Sequence, residues 1–325
     1  MSYISKIKMI IYNPRKIYSL ATKFVLICHR SSLGPALGYV SEKITGHNLY
    51  LKVLKLLKCD TLKKVQLKDA NNSYIYIDLE DEGICRDLLL YGQREENATK
   101  AFKSYLKSGQ TIIDIGANIG YYVLIEAAKI QPGGRIYAIE PDPLNVKILR
   151  KNVKLNRYDN IVNIEPAAIS NKTGISKLYL ANRSNLHTLT RVPEMDKYVK
   201  FKGTINIPTF SLDEFIEAKD ISAQDIDIIR MDIEGHEIYA LEGMKNTLKN
   251  SGRLLLFIEV HPKLIKQISI SKYEEFINNL KNYNFEIKEC FLSISSKEDK
   301  KIEVQDWRDL LYFNEALELI LIKRK

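Results

Sequence analysis

Cysteine is scarce in this chain: Cys28, Cys59, Cys85 and Cys290 are scattered through 325 residues, with no CxxC pair among them. That excludes a disulfide framework and a thiolate metal site, and a reduced, cytoplasmic protein is the expectation. Long apolar runs are missing too. The nearest candidate, residues 17–28, is broken by Thr22 and Lys23, short of the roughly 18 to 20 residues a membrane span needs. No transmembrane helix is expected. The opening MSYISKIKMIIYNP interleaves lysine with isoleucine and offers no small-residue cleavage site, so no secretory signal is expected. Internal repeats and low-complexity tracts are absent. Acid is absent from the first 41 residues, Glu42 being the first.

What is present is a soluble-type composition, 45% hydrophobic and 27% charged, with its charge unevenly placed. Residues 1–68 carry 13 Lys and Arg against two acids, Glu42 and Asp60, so this segment stands at +11 while the whole chain stands at +9. The other 257 residues are therefore at −2. Residues 1–60 read as basic amphipathic helices, with Ile17, Leu20, Ala21, Phe24 and Cys28 on one stripe and Lys52, Lys55 and Lys58 on one side. Such a segment can contact the inner face of a membrane peripherally, bind nucleic acid or cap the core. VQLKDANNSYIYIDL then reads as a hairpin around Asn71 and Asn72.

After Ser108-Gly109 strands and helices alternate. TIIDIG (111–116), RIYAIE (135–140), NIVNIEPAAI (160–169), IDIIRMDI (226–233), LLLFIEV (254–260), FEIKECF (285–291) and LELILIKRK (317–325) are seven candidate strands. Helices are expected near 95–107, 119–130, 142–156, 211–218, 236–250 and 271–282. This pattern predicts an α/β fold with a seven-stranded, mostly parallel sheet and an antiparallel pair at one edge. The division expected is a basic helical segment and hairpin extension over 1–80 and a Rossmann-like domain over 81–325.

Ligands of open α/β sheets sit at the carboxyl ends of strands. DIGANIG (114–120) is such an end. Gly116 clears the way for a ligand edge, Gly120 allows close helix packing, Asn118 is placed to cap a helix from Ile119, and Asp114 is an acceptor for the crevice. A dinucleotide pyrophosphate needs GxGxxG, whereas here Ala117 and Asn118 follow the first glycine. An acid at the front of the turn suits the amino-acid-like S-adenosylmethionine better. Glu140, closing the second strand, can accept ribose hydroxyls for either cofactor class. Asp142 lies on the same rim and also suits the N-cap of a helix from Pro143. Ala167 and Ala168 are small enough to let an adenine lie against the third strand.

Together DIGANIGYY, AIEPDP, NIVNIEPAAIS, TFSLDEF, MDIEGHEIYALEGM and FIEVHP resemble the FkbM family of S-adenosylmethionine-dependent O-methyltransferases, over roughly residues 85–262. The resemblance implies a class I, Rossmann-like methyltransferase core acting on hydroxyls of saccharides or polyketide-type molecules. A lipid-linked glycan would fit a membrane-facing N-terminal segment. RNA is the less favoured acceptor, since no aromatic base-flipping motif follows the fourth strand. A non-catalytic module retaining the fold is the third reading. Nothing in the sequence sets an oligomeric state.

The fourth and fifth strands end in a second cluster: Asp232, Glu234, His236, Glu259 and His261. Methylating an alcohol requires a proton acceptor near the hydroxyl. Asp232 and His236 are candidates for that role, Glu234 and Glu259 for positioning the acceptor's hydroxyls, and His261 is a further catalytic candidate on the same rim. The carboxylates can also be imagined around a divalent ion, but without HxH or CxxC spacing no metal site is expected. The connection from Ser184 onward is long and polar, and Ser184, His187 and Arg191 are candidates to line the acceptor site.

Overall fold

The computed structural model describes residues 61–294 and 298–324, so the amphipathic helices expected in residues 1–60, and any membrane or nucleic-acid contact made by them, lie outside the described residues. Among the described residues no helix is long and apolar enough to cross a membrane.

The expected hairpin is present: β1 (Leu62–Gln66) and β2 (Tyr74–Asp78) run antiparallel with Leu62 opposite Asp78. Asn71 and Asn72 turn it with φ of 44° and 64°, left-handed backbone that asparagine tolerates. Next come α1 (Ile84–Tyr91), α2 (Glu96–Tyr105), β3 (Thr111–Ile115), α3 (Tyr121–Ile130), β4 (Arg135–Ile139), α4 (Pro143–Leu155) and β5 (Val162–Glu165). β6 (Ala168–Ile169), β7 (Gly174–Ala181), β8 (Phe201–Phe210) and α5 (Leu212–Ala218) follow. β9 (Ile228–Met231), α6 (Glu237–Glu242), α7 (Lys245–Asn250), β10 (Leu255–Val260), α8 (Pro262–Ile268) and α9 (Ile270–Asn282) lead to β11 (Phe285–Ser293), β12 (Asp299–Ile302) and β13 (Leu317–Lys323).

The main sheet has eight strands rather than seven, in the order β12-β11-β13-β10-β9-β3-β4-β5. From β10 to β5 all neighbours are parallel, while β13 runs antiparallel between β10 and β11, and β12 adds an antiparallel edge. DKKI, the strand missing from the expectation, is short and charged, so it carries no apolar signal. The long polar connection is not a loop throughout. β7 and β8 pair antiparallel within it, and β8 takes β6 on its other side, giving a separate three-stranded sheet.

Two apolar layers cover the main sheet, and the strand period of two sorts residues between them. Ile112, Ile228, Phe257 and Ile320 face one layer, with α3, α4 and the hairpin's Val65, Ile75 and Ile77. Ile113, Ile229, Leu256 and Leu319 face the other, with α5, α6 and α9. Asp114, Arg230, Glu259 and Glu318 share parity with the first set, so a stripe of charge crosses that layer at one end of the strands. The chain leaves β3 for β4 and β5, then crosses back to β9 on the other side of β3. That reversal is the topological switch point, where a crevice opens at the strands' carboxyl ends.

Candidate functional site

At the switch point β3 and β9 approach closely. Gly116 has φ 85°, and a Cβ there would run into the carbonyl oxygen of Asp232. The glycine is thus demanded by the neighbouring strand as well as by the cleft it lines. Asp114 does not point into the crevice as expected. It is fully buried, and its Oδ1 accepts from Arg230 Nη1 at 2.9 Å. These two residues are register partners on adjacent strands, so their side chains share a face. Arg230 also donates through Nη2 to Asp232 Oδ2 at 3.2 Å, and its guanidinium lies 4.0 Å from the centre of the Tyr122 ring. The expected helix start moves as well: α3 begins at Tyr121 with Gly120 as N-cap, in left-handed backbone at φ 95°. Asn118, at φ 50°, accepts from the adjacent Ile119 N–H at 2.7 Å instead of capping the helix.

Glu140 is held from three directions. Its Oε2 accepts the Asn118 N–H at 2.8 Å, and its Oε1 accepts the Asp142 N–H at 2.9 Å and Asn145 Nδ2 at 3.2 Å. A carboxylate has about four lone-pair sites, so room for one further donor remains, on Oε2. Burial pushes this carboxyl up to about 7, against the pull of those donors. Asp142 does the capping expected of it, accepting Leu144 N–H at 3.1 Å, and its other oxygen lies 3.3 Å from His187 Nε2. Ala168 faces the cleft, whereas Ala167 is packed into the second apolar layer.

The cleft is open to solvent and holds a cavity volume of about 60 Å³. Ile115, Ile139, Ala168, Ile169 and Leu178 give it apolar walls; Glu140 lies at one side, and Arg94, Asp232, Glu234 and His236 at the other. Ser184 and His187 line it as expected. Arg191 does not: it binds Asp196 at 2.8 Å and lies over Phe201, the solvated arrangement of an exposed charge.

The second cluster converges. β9 runs into a turn in which Glu234 and Gly235 both take positive φ, 51° and 89°. His236 is buried, with Nδ1 2.6 Å from Thr190 Oγ1 and Nε2 2.9 Å from Ser170 Oγ. Burial lowers its pKa to about 4, so the ring is neutral near pH 7. His261 places Nδ1 2.9 Å from Glu237 Oε1, and Nε2 3.4 Å from Glu234 Oε2 and 3.8 Å from Glu259 Oε1. Burial pushes this imidazole down, but the three carboxylates outweigh it and hold the pKa well above the ordinary value. Burial raises Glu234 to about 8 and Glu259 well above the carboxylate range.

The model of the Methyltransferase FkbM domain matches residues 114–287, more than half of the chain. The chain belongs to the FkbM methyltransferase family. Among curated relatives, the hexuronic acid methyltransferase AglP of Haloferax volcanii is 22% identical over 51% of this chain and 62% of its own length. The 2-O-methyltransferase NoeI of Sinorhizobium fredii is 28% identical over 44% of this chain and 60% of its own. A ribosomal protein L11 methyltransferase of Caldanaerobacter subterraneus is 27% identical over 44% and 47%. The chain thus spans about half to three-fifths of the length of these relatives. The crystal structure of an FkbM methyltransferase from Methylobacillus flagellatus covers 93% of this chain and 59% of its own, at 13% identity and a TM-score of 0.38.

In this FkbM-family chain the sequence reading overlooked Arg94, Arg230 and Glu318. Arg230 had a visible signal, a cation inside the apolar run IDIIRMDI. Glu318 had one too, an acid inside LELILIK. Arg94 lies between α1 and α2, and nothing nearby in the sequence points to the cleft it lines.

Proposed function

We propose that this protein transfers the methyl group of S-adenosylmethionine to a hydroxyl oxygen of a saccharide, on a free or lipid-linked glycan. The observation carrying this reading is that one cleft at the switch point joins a nucleoside-type end, Glu140 with the apolar wall of Ile139 and Ala168, to an acidic rim at Asp232 and Glu234.

The residues fit the donor. Glu140 has one acceptor position left for a ribose hydroxyl, Ile139 and Ala168 suit the faces of an adenine, and Arg94 brings a cation for the amino-acid carboxylate. When bound, the donor supplies an electrophilic methyl on a sulfonium. The acceptor oxygen forms a bond to that carbon, the carbon–sulfur pair stays on sulfur, and the hydroxyl proton passes to a carboxylate of the rim. Aligning oxygen, methyl and sulfur contributes most, because charge is dispersed rather than created. Carboxylates and the Ser184 and Thr188 hydroxyls around the cleft provide the hydrogen-bond acceptors that a polyhydroxylated molecule requires.

The test is production of S-adenosylhomocysteine with saccharide acceptors, RNA and protein, each product weighed by mass spectrometry. Turnover that requires a saccharide and adds one methylene to it is expected. Methylation of RNA or protein alone would overturn the acceptor class, and absence of transfer to all three would overturn the activity.

A further inference from the structure

We propose that Asp232, Glu234 and His261 hold a divalent first-row transition-metal cation at the acidic rim of the cleft. One ligand atom from each lies within 4.8 Å of the other two. They come from the carboxyl ends of adjacent parallel strands, β9 and β10. Between Asp232 and Glu234 the chain turns through left-handed backbone at Glu234, a non-glycine residue, and such strain persists only where its surroundings impose it.

The orientation of His261 is that of a ligand. Its Nδ1 is 2.9 Å from Glu237 Oε1, which fixes the ring and leaves Nε2 turned toward Glu234 and Glu259. Metal-binding histidines are oriented by a carboxylate on the opposite nitrogen in this way.

A separate observation comes from the next strand. Glu318 is only 2% exposed, neither of its oxygens has a hydrogen-bond partner, and it stands directly opposite Glu259 across the β10–β13 ladder. Partners in that register project from the same face. The carboxylate thus faces the same pocket of charge. Arg94 is paired with Glu95, and Arg230 with Asp114 and Asp232. Among the described residues, Arg94 and His261 are the basic groups that face Glu234 and Glu259, fewer than the carboxylates gathered there, and a divalent ion would balance the remainder. Mixed carboxylate and imidazole ligation favours Mn²⁺, Fe²⁺ or Zn²⁺ over Ca²⁺.

On the proposed function, the ion would bind the acceptor's hydroxyl oxygen and acidify it. Binding itself is independent of that reading. Full-length protein freed of metal with chelator is titrated with Mn²⁺ alone, free ion being read by electron paramagnetic resonance. One ion per chain is expected, weakened roughly tenfold or more in Glu234→Ala and in His261→Ala, with S-adenosylhomocysteine affinity unchanged in His261→Ala. For wild-type protein, iron-mediated backbone cleavage mapped by mass spectrometry should fall near residues 232–237 and 259–263. Binding weaker than about 1 mM, equal binding by both variants, or cleavage elsewhere would overturn the site. Metal binding without any S-adenosylhomocysteine binding would instead overturn the donor reading alone.

Discussion

Arg230 is buried among three groups that each depend on it. Its guanidinium joins Asp114 to Asp232 across two strands and stacks on Tyr122. Removing one partner of a buried ion pair leaves an uncompensated charge, so Arg230→Met should destabilise the protein by about 3 to 5 kcal/mol. Adding Asp114→Asn should restore part of that loss, as measured by denaturant unfolding; additive costs would show that the two residues are not coupled. Glu140 supports a prediction about pH. Its folded-state carboxyl sits near 7 because of burial, above the ordinary glutamate value, so the folded state holds the proton more tightly than the unfolded chain. Its contribution to stability is full below about pH 4.5 and is lost as pH rises through about 7, a change on the order of 3 kcal/mol. Ligand binding runs the other way. An ionised Glu140 is the better acceptor for a ribose hydroxyl, so S-adenosylhomocysteine should bind more tightly at pH 8 than at pH 6 by calorimetry, and equal or reversed affinities would remove Glu140 from the ribose.

At the scale of elements, strand β2 of the hairpin is clasped by α4 and the residue that follows it. Asn152 of α4 accepts the Tyr76 N–H at 2.6 Å and donates to the Tyr76 and Ile119 carbonyls at 3.2 and 2.8 Å, and Asn156 repeats the clasp on Tyr74. Asn152→Ala leaves those buried backbone groups unpaired and should cost about 1 to 3 kcal/mol, with amide exchange at residues 74–77 accelerating before the rest of the protein. Uniform acceleration would mean that β2 opens only with the whole molecule. The parallel strands were legible because each is a continuous apolar run before a turn, and α4 because Asp142-Pro143 is a helix start in composition. β7 and β8 were not legible. FKGTINIPTF pairs a glycine and a proline with strand-forming residues, and its partner strand buries few side chains, so the period-two signal is faint. The helix read as 236–250 divides at Gly243 and Met244, a break that an uninterrupted apolar pattern conceals.

For the whole molecule, the sequence located the cleft, while some of the residues expected on its wall stand elsewhere. Gly116, Asn118, Glu140, Asp232, Glu234 and His236 do line one cavity, because strand ends at a switch point converge whatever lies between them. Asp114 looked like an open acceptor because its partner, Arg230, lies 116 residues away; local sequence holds no record of such a pairing. Glu259 and His261 stand behind the cleft rather than on its wall, joined to it through Glu234. The central claim, that the methyl donor occupies the carboxyl-end cleft between β3 and β4, is tested most directly by amide hydrogen exchange with and without S-adenosylhomocysteine. The account predicts slowed exchange at residues 116–119 and 140–142. Protection confined to the opposite strand ends, around Gly109 and Arg253, or no protection at saturating ligand, would contradict it.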